Sequence, residues 1–198
     1  MLTLAFDTAT GVATCGLVRD GEVLSERRTR AAAVLADADE LLREARLTPS
    51  DLDLLAVGVG PGSFTGLRIG LAAARGLALA CDLPVAGIST LDALAAGAPG
   101  AVPVIDARRR EVFSLVAGEA RCLTPADLAV EPDRTYVGDG AVRYRPVIEE
   151  AGGVVPPDES ELHLPRGRFQ AQLAGEGGAA DLVEPIYLRA PDAEKAVA

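Results

Sequence analysis

The chain has 198 residues, nearly half of them apolar, and 29 acidic side chains against 19 basic ones give it a formal charge of −10. That length supports a buried core without metal or disulfide staples, and the composition excludes a disordered chain. The negative charge disfavours autonomous binding to nucleic acid, whose phosphates it repels.

With four Phe, three Tyr and no Trp, the core must be built from Ala, Leu and Val. Cys15, Cys81 and Cys122 are odd in number and form no Cys-x-x-Cys pair. They read as small buried residues in a reducing compartment. The opening "MLTLAFDTAT" reaches Asp7 too early for a signal-peptide core, and uncharged runs such as 54–67 are short and broken by Gly and Pro. A cytosolic, cytoplasmic protein with no membrane span is expected.

In chain order, "LTLAFDTAT" alternates as a strand and turns at Thr10-Gly11. "VATCGLVRDGEVLSERR" continues as two strands about Asp20-Gly21, a strong hairpin signal. From Val34 the period changes: Val34, Ala38, Leu41, Leu42 and Ala45 share one face of an amphipathic helix. "LLAVGVG" is a continuous apolar run, the mark of a strand covered on both faces. A helix over 64–80 follows, then the strand "PVAGI" and a helix opening near Ser89 or Thr90. This order implies right-handed crossovers and a mixed sheet.

Near Val102 the pattern restarts. "VPVIDARRREVFSLVAG" reads as a hairpin whose first strand ends in Asp106, as the first strand of the chain ends in Asp7. A strand "EARCL", a helix "TPADLA", a strand "TYVGDG" and a helix "YRPVIEEAG" are expected next. The pattern weakens over 154–178, "LVEPIYLRAP" closes the ordered part, and "DAEKAVA" is expected to fray. The reading is two related α/β lobes, 1–100 and 101–198, divided at "GAPGA" (97–101), with the second lobe cut short.

"GVGPGSFTGLRIG" (58–70) looks like a phosphate loop but matches none by spacing. Gly66 is followed by Leu67 rather than the Lys of a Walker A loop, and Gly60-x-Gly62-x-x-x-Gly66 misses the dinucleotide fingerprint by one residue. A generic anion site at the helix N-terminus remains open, as does simple capping by Ser63 or Thr65.

The helix that follows carries charge only at Arg68 and Arg75, and its Gly66, Gly70, Ala74 and Ala78 form a smooth strip. A helix this apolar must be buried on more than one side. A partner chain is expected to cover it, touching Gly66, Arg68, Ile69, Gly70, Ala73, Ala74 and Leu77, together with Val34, Ala38 and Leu41 of the first helix.

Other features carry less. Arg108-Arg109-Arg110 reads as a solvated turn, or as a contact to RNA inside a larger assembly. His163 is the only histidine and is expected to be exposed or half-exposed. With no His pair, no Gly-x-Ser-x-Gly elbow and no zinc spacing, no catalytic or metal constellation is visible.

Asp7-Thr8-Ala9-Thr10 resembles the phosphate-binding hairpin of the acetate kinase, actin and sugar-kinase superfamily. That likeness implies a reduced cofactor site at Asp7, Thr8 and Thr10, with the Asp on magnesium. Gly138-Asp-Gly140 is too short to act as a full adenosine-binding motif.

"LAFDTAT", "GVGPGSFTGLRIGLAAARGLAL", "GISTLDALA", "IDARRREVF" and "EPIYLR" together resemble the TsaB (YeaZ) family over nearly the whole chain. The resemblance implies a two-lobe actin-like (ASKHA, RNase H-like duplicated) fold. It further implies a non-catalytic subunit of the bacterial complex that forms threonylcarbamoyladenosine in tRNA.

The implied partners are a catalytic TsaD-like paralogue and a TsaE-like ATPase, with a homodimer in isolation and tRNA reached only through the complex. No cofactor is then bound by this chain alone, and ATP or ADP is shared at the partner interface. Family members often carry a His-Ser pair before the first helix, where this chain has "TRAAAVLADADELL". The rival readings are an independent ATP-dependent kinase or ATPase of the same superfamily and, behind it, a stand-alone protease.

Overall fold

A computed structural model describes residues 1–189, so the expected fraying of 192–198 lies outside the described residues. The first sheet holds β1 (Leu2–Asp7), β2 (Ala13–Arg19), β3 (Glu22–Thr29), β4 (Leu54–Gly60) and β5 (Val85–Ser89) in the order β3-β2-β1-β4-β5. β1 pairs antiparallel with β2 and parallel with β4, and β4 pairs parallel with β5.

The second sheet holds β6 (Val102–Arg108), β7 (Glu111–Val116), β8 (Glu119–Leu123) and β9 (Tyr136–Val137) in the order β8-β7-β6-β9. It repeats the first four strands of the first sheet and stops there. The repeat seen at Asp7 and Asp106 is therefore a repeat of topology, with the second copy one strand short.

Alternation along β1 decides the layers. Leu2, Leu4 and Phe6 join a core with Val34, Leu41 and Leu42 of α1 (Val34–Glu44) and Leu71, Ala74 and Ala78 of α2 (Phe64–Cys81). Ala5, on the other face, packs with Ala56, Ala86 and Ile88 under α6 (Gly167–Leu173). The second sheet has its own core around Val104, Val112, Tyr136, Ala141 and Ile148, under α4 (Asp139–Arg143) and α5 (Arg145–Glu150). α3 (Thr90–Gly97) joins the two halves.

Three expectations change. "TPADLA" makes only a 3-10 turn at Pro125–Asp127, because Leu128 returns to extended backbone. "TYVGDG" is cut to a two-residue strand by Gly138, whose φ of 109° breaks the ladder before α4 starts. Finally, 101–198 is not one lobe. α6 crosses back onto β1 and β2, and residues 178–189 run as a strap along the first lobe.

The strap begins where Gly178 and Val85 exchange backbone hydrogen bonds of 2.9 and 3.0 Å. Arg75 donates to the carbonyls of Ala180 and Val183, and the Ile186 N–H donates to Val59 O at 2.8 Å. Tyr187 then lies 5.4 Å from the Phe64 ring, Leu188 joins the apolar cluster around Ile105 and Phe113, and Arg189 pairs with Glu111.

α2 is long and apolar enough to cross a membrane by length and composition, at a mean hydropathy of 1.3. It is the core helix of the first lobe instead. Its small-residue strip faces inward: a Cβ on Gly66 would meet Thr8 O at 2.0 Å, and one on Gly70 would meet Thr8 Oγ1 at 2.3 Å. The backbone that approaches this strip is the chain's own.

Val34, Ala38, Leu41, Gly66, Gly70, Ala73 and Ala74 are accordingly buried within the chain and offer no surface to a partner. Of the ten residues expected at that interface, only Arg68 is exposed, with Ile69 and Leu77 half-buried.

The two glycines at Gly70 and Gly76 should respond oppositely to a methyl group. Gly70→Ala forces overlap with Thr8 and should lower stability by about 1–3 kcal/mol. Gly76 is exposed, and a Cβ there meets nothing within 4 Å. Gly76→Ala should therefore raise stability by about 1 kcal/mol through helix propensity alone. Urea unfolding of both variants checks the pair.

Candidate functional site

The turn after β1 is where the sequence placed a phosphate, and its polar groups are occupied from within. Asp7 is fully buried and accepts from Ala9 N at 2.7 Å, Thr90 Oγ1 at 2.8 Å and Gln170 Nε2 at 2.6 Å. It fits because Gly58 has no Cβ: one built there would lie 2.1 Å from an Asp7 oxygen. Thr8 Oγ1 donates to Gly66 O at 2.8 Å, and Thr10 Oγ1 donates to Val12 O at 2.9 Å.

The expected cofactor residues Asp7, Thr8 and Thr10 are thus brought together, Thr8 and Thr10 in the cleft wall and Asp7 withdrawn into the fold. They do not fit a magnesium–phosphate group, because no oxygen of Asp7 reaches the cleft. Among the described residues, no group of three or more His, Cys, Asp or Glu side chains is placed to hold a metal ion.

The cleft itself is real. It has a volume of about 610 Å³ and lies between the β1–β2 turn, the start of α2, the end of β6, Asp139 and residues 186–189. Ser63 caps α2 by accepting from Gly66 N at 3.2 Å, so capping occurs as one of the two sequence readings had it.

Asp139 spans the lobes from below: its carboxylate accepts from Gly11 N at 3.3 Å and from Asp106 N at 3.0 Å. A carboxylate of this chain thereby takes a turn N–H that a phosphate would otherwise claim. Asp106 in turn receives Arg108 at 3.1 Å and Arg143 at 3.5 Å.

Asp139 is held in place by the residue expected to be exposed. His163 is buried at 4 % exposure, its Nδ1 accepts from Gly138 N at 3.1 Å, and its Nε2 lies 3.1 Å from Pro156 O. The polar "ESELHLP" run hid this, because the burial comes from packing against α3 and α4 rather than from any local apolar pattern. Thr90 and Gln170 were missed too. A buried polar residue beside Ala and Leu neighbours was the only available signal.

Burial pushes the Asp7 carboxyl up to about 6, against its three hydrogen bonds, which pull it down, and with the Asp139 charge adding to the rise. Asp139 is raised as well, chiefly by burial, which outweighs the N–H groups of Asp106 and Gly11. Gln170 Oε1 has no partner among the described residues, so the amide, turned over, can accept the proton of a neutral Asp7.

A family model described as TsaD, tRNA N6-adenosine threonylcarbamoyltransferase, matches residues 26–139. The chain is 42 % identical over 226 residues to the tRNA threonylcarbamoyladenosine biosynthesis protein TsaB of Escherichia coli (strain K12), a match spanning 96 % of this chain and 95 % of that one. The chain belongs to the TsaB (YeaZ) family.

The TsaB of Bacillus subtilis (strain 168) is 29 % identical over 98 % of this chain and 96 % of its own. The solved YeaZ of Pseudomonas aeruginosa superposes with a TM-score of 0.77 at 31 % identity, covering 94 % of this chain and 99 % of that one. The fold is therefore that of the TsaB family, the two-lobe actin-like arrangement of RNase H-like sheets.

The buried carboxyl sets a pH dependence. Asp7 ionises near 3.8 when unfolded and near 6 when folded, so the native state binds the extra proton between those values. Its contribution to stability is greatest below pH 4, falls as pH rises through 6, and changes by about 3 kcal/mol in all. Asp7→Asn cannot titrate. The wild-type-minus-variant difference in unfolding free energy should fall from pH 4 to pH 7 and then level, as read by urea melts across that range.

Proposed function

We propose that this chain is a non-catalytic subunit that docks on a TsaD-like paralogue and organises it. Membership of the TsaB family supports a role in forming threonylcarbamoyladenosine in tRNA. The observation that supports the docking role is on the outside of α2.

Thr65, Ile69, Ala72, Gly76 and Leu79 recur at i, i+4, i+7, i+11 and i+14, one stripe along the helix. Thr65, Ala72, Gly76 and Leu79 are exposed, Leu79 at 89 %. A leucine standing in water beside a glycine with open space above it is a poor surface for an isolated chain and a good seam for a second helix. Arg68, stacked 3.8 Å over Phe64, flanks the stripe.

In this reading the chain contributes shape rather than chemistry. A TsaE-like ATPase completes the assembly, a second copy covers the stripe when the paralogue is absent, and ATP or ADP belongs to the partner interface. The kinase or ATPase reading is disfavoured because Asp7 and the Ala9 and Gly11 N–H groups of the hairpin are already engaged. The protease reading has no paired nucleophile and base to support it among the described residues.

Leu79→Asp and Gly76→Leu should each abolish or strongly weaken association with the TsaD-like paralogue in analytical ultracentrifugation. Neither should unfold the isolated chain: Leu79→Asp changes an exposed position, and Gly76→Leu should raise the unfolding midpoint slightly through helix propensity. Unaltered association by both variants refutes the seam.

A further inference from the structure

Three two-residue hairpins occur among the described strands, and all three have positive φ at both turn positions. The β2–β3 turn uses Asp20 and Gly21 (φ 50° and 85°), and the β7–β8 turn uses Ala117 and Gly118 (φ 51° and 83°). Glycine at the second position is what this geometry favours. The β6–β7 turn instead places Arg109 and Arg110 there (φ 51° and 63°), preceded by Arg108, also left-handed at 62°. Three successive arginines are held in a backbone region that side chains disfavour.

All three are exposed, and Arg108 lines the inter-lobe cleft together with Arg30 and Arg189. Arg143 joins them through Asp106, which it shares with Arg108; the two arginine side chains remain 55 % and 67 % exposed. Arg108 and Arg143 thus share the single carboxylate of Asp106, while Arg30 and Arg110 also stand exposed, in a chain whose net charge is −10. The region is a cationic island on an acidic molecule.

We propose that this arginine turn, with Arg143 beside it, is the surface through which the chain contacts the phosphate backbone of tRNA inside the complex. The inference rests on the tRNA reading given above. Adjacent guanidinium forks suit a run of phosphates, since each can grip two oxygens at once. The overall negative charge keeps the isolated chain off RNA, so the contact forms only when a partner brings the strand to the island. Glycine would fit this backbone better but would lose the charge.

The test uses the full chain in complex with its TsaD-like paralogue, unmodified tRNA, and fluorescence anisotropy over a series of salt concentrations. Arg110→Gly should raise the Tm of the isolated chain by about 2–4 °C, since glycine suits the left-handed backbone. The same change should weaken tRNA binding roughly fivefold and lower the salt slope by about 1. Arg143→Glu should weaken binding further, with the protein complex intact by ultracentrifugation.

Higher stability with unaltered affinity and salt slope would overturn the inference alone, leaving a strained turn and nothing more. Loss of the protein complex on Arg143→Glu would overturn it in favour of an acidic protein surface as the occupant. Failure of the wild-type chain to associate with the paralogue would instead refute the docking reading itself.

Discussion

The structure turns on one carboxylate. Asp7 is removed entirely from water, and a charge so placed survives only where donors surround it. Its donors come from three separate parts of the chain: the turn after β1, the first residue of α3, and α6. Meeting that single demand fixes where the connecting helix starts and brings a late helix back to the first sheet. The position is a knot, and the side chains of Thr8 and Thr10 beside it are engaged within the chain.

α2 carries two kinds of glycine. Its inner glycines sit against Thr8, where any side chain would collide, while Gly76 sits outside with nothing above it. Both kinds of glycine look alike in a sequence. Packing separates them: the inner pair is dictated by this chain's own Thr8, and a Cβ at the outer one would touch nothing within it.

That difference explains what the sequence made legible. Strong periodicity and turn chemistry marked α1, α2, β4 and the Asp20-Gly21 hairpin, since local spacing alone shapes them. The repeat was readable from Asp7 and Asp106 because each ends the first strand of a hairpin. What could not be read were contacts between residues far apart in the chain. Gln170 reaches Asp7 across 163 positions, and Asp139 reaches Gly11 across 128. The burial of His163 has the same origin, as does the inward turn of the Gly66–Gly70 strip. Small residues at a four-residue spacing state that something comes close, but not which backbone it is.

The C-terminal strap has a mechanical consequence. It is hydrogen-bonded to β5, α2 and the end of β4 before Leu188 and Arg189 reach the second sheet. A two-lobed body hinged at α3 would ordinarily open and shut like a shell. The return of α6 to the first sheet and the strap's passage to the second restrain that freedom, because rotation about α3 must strain both. The molecule is a braced plate.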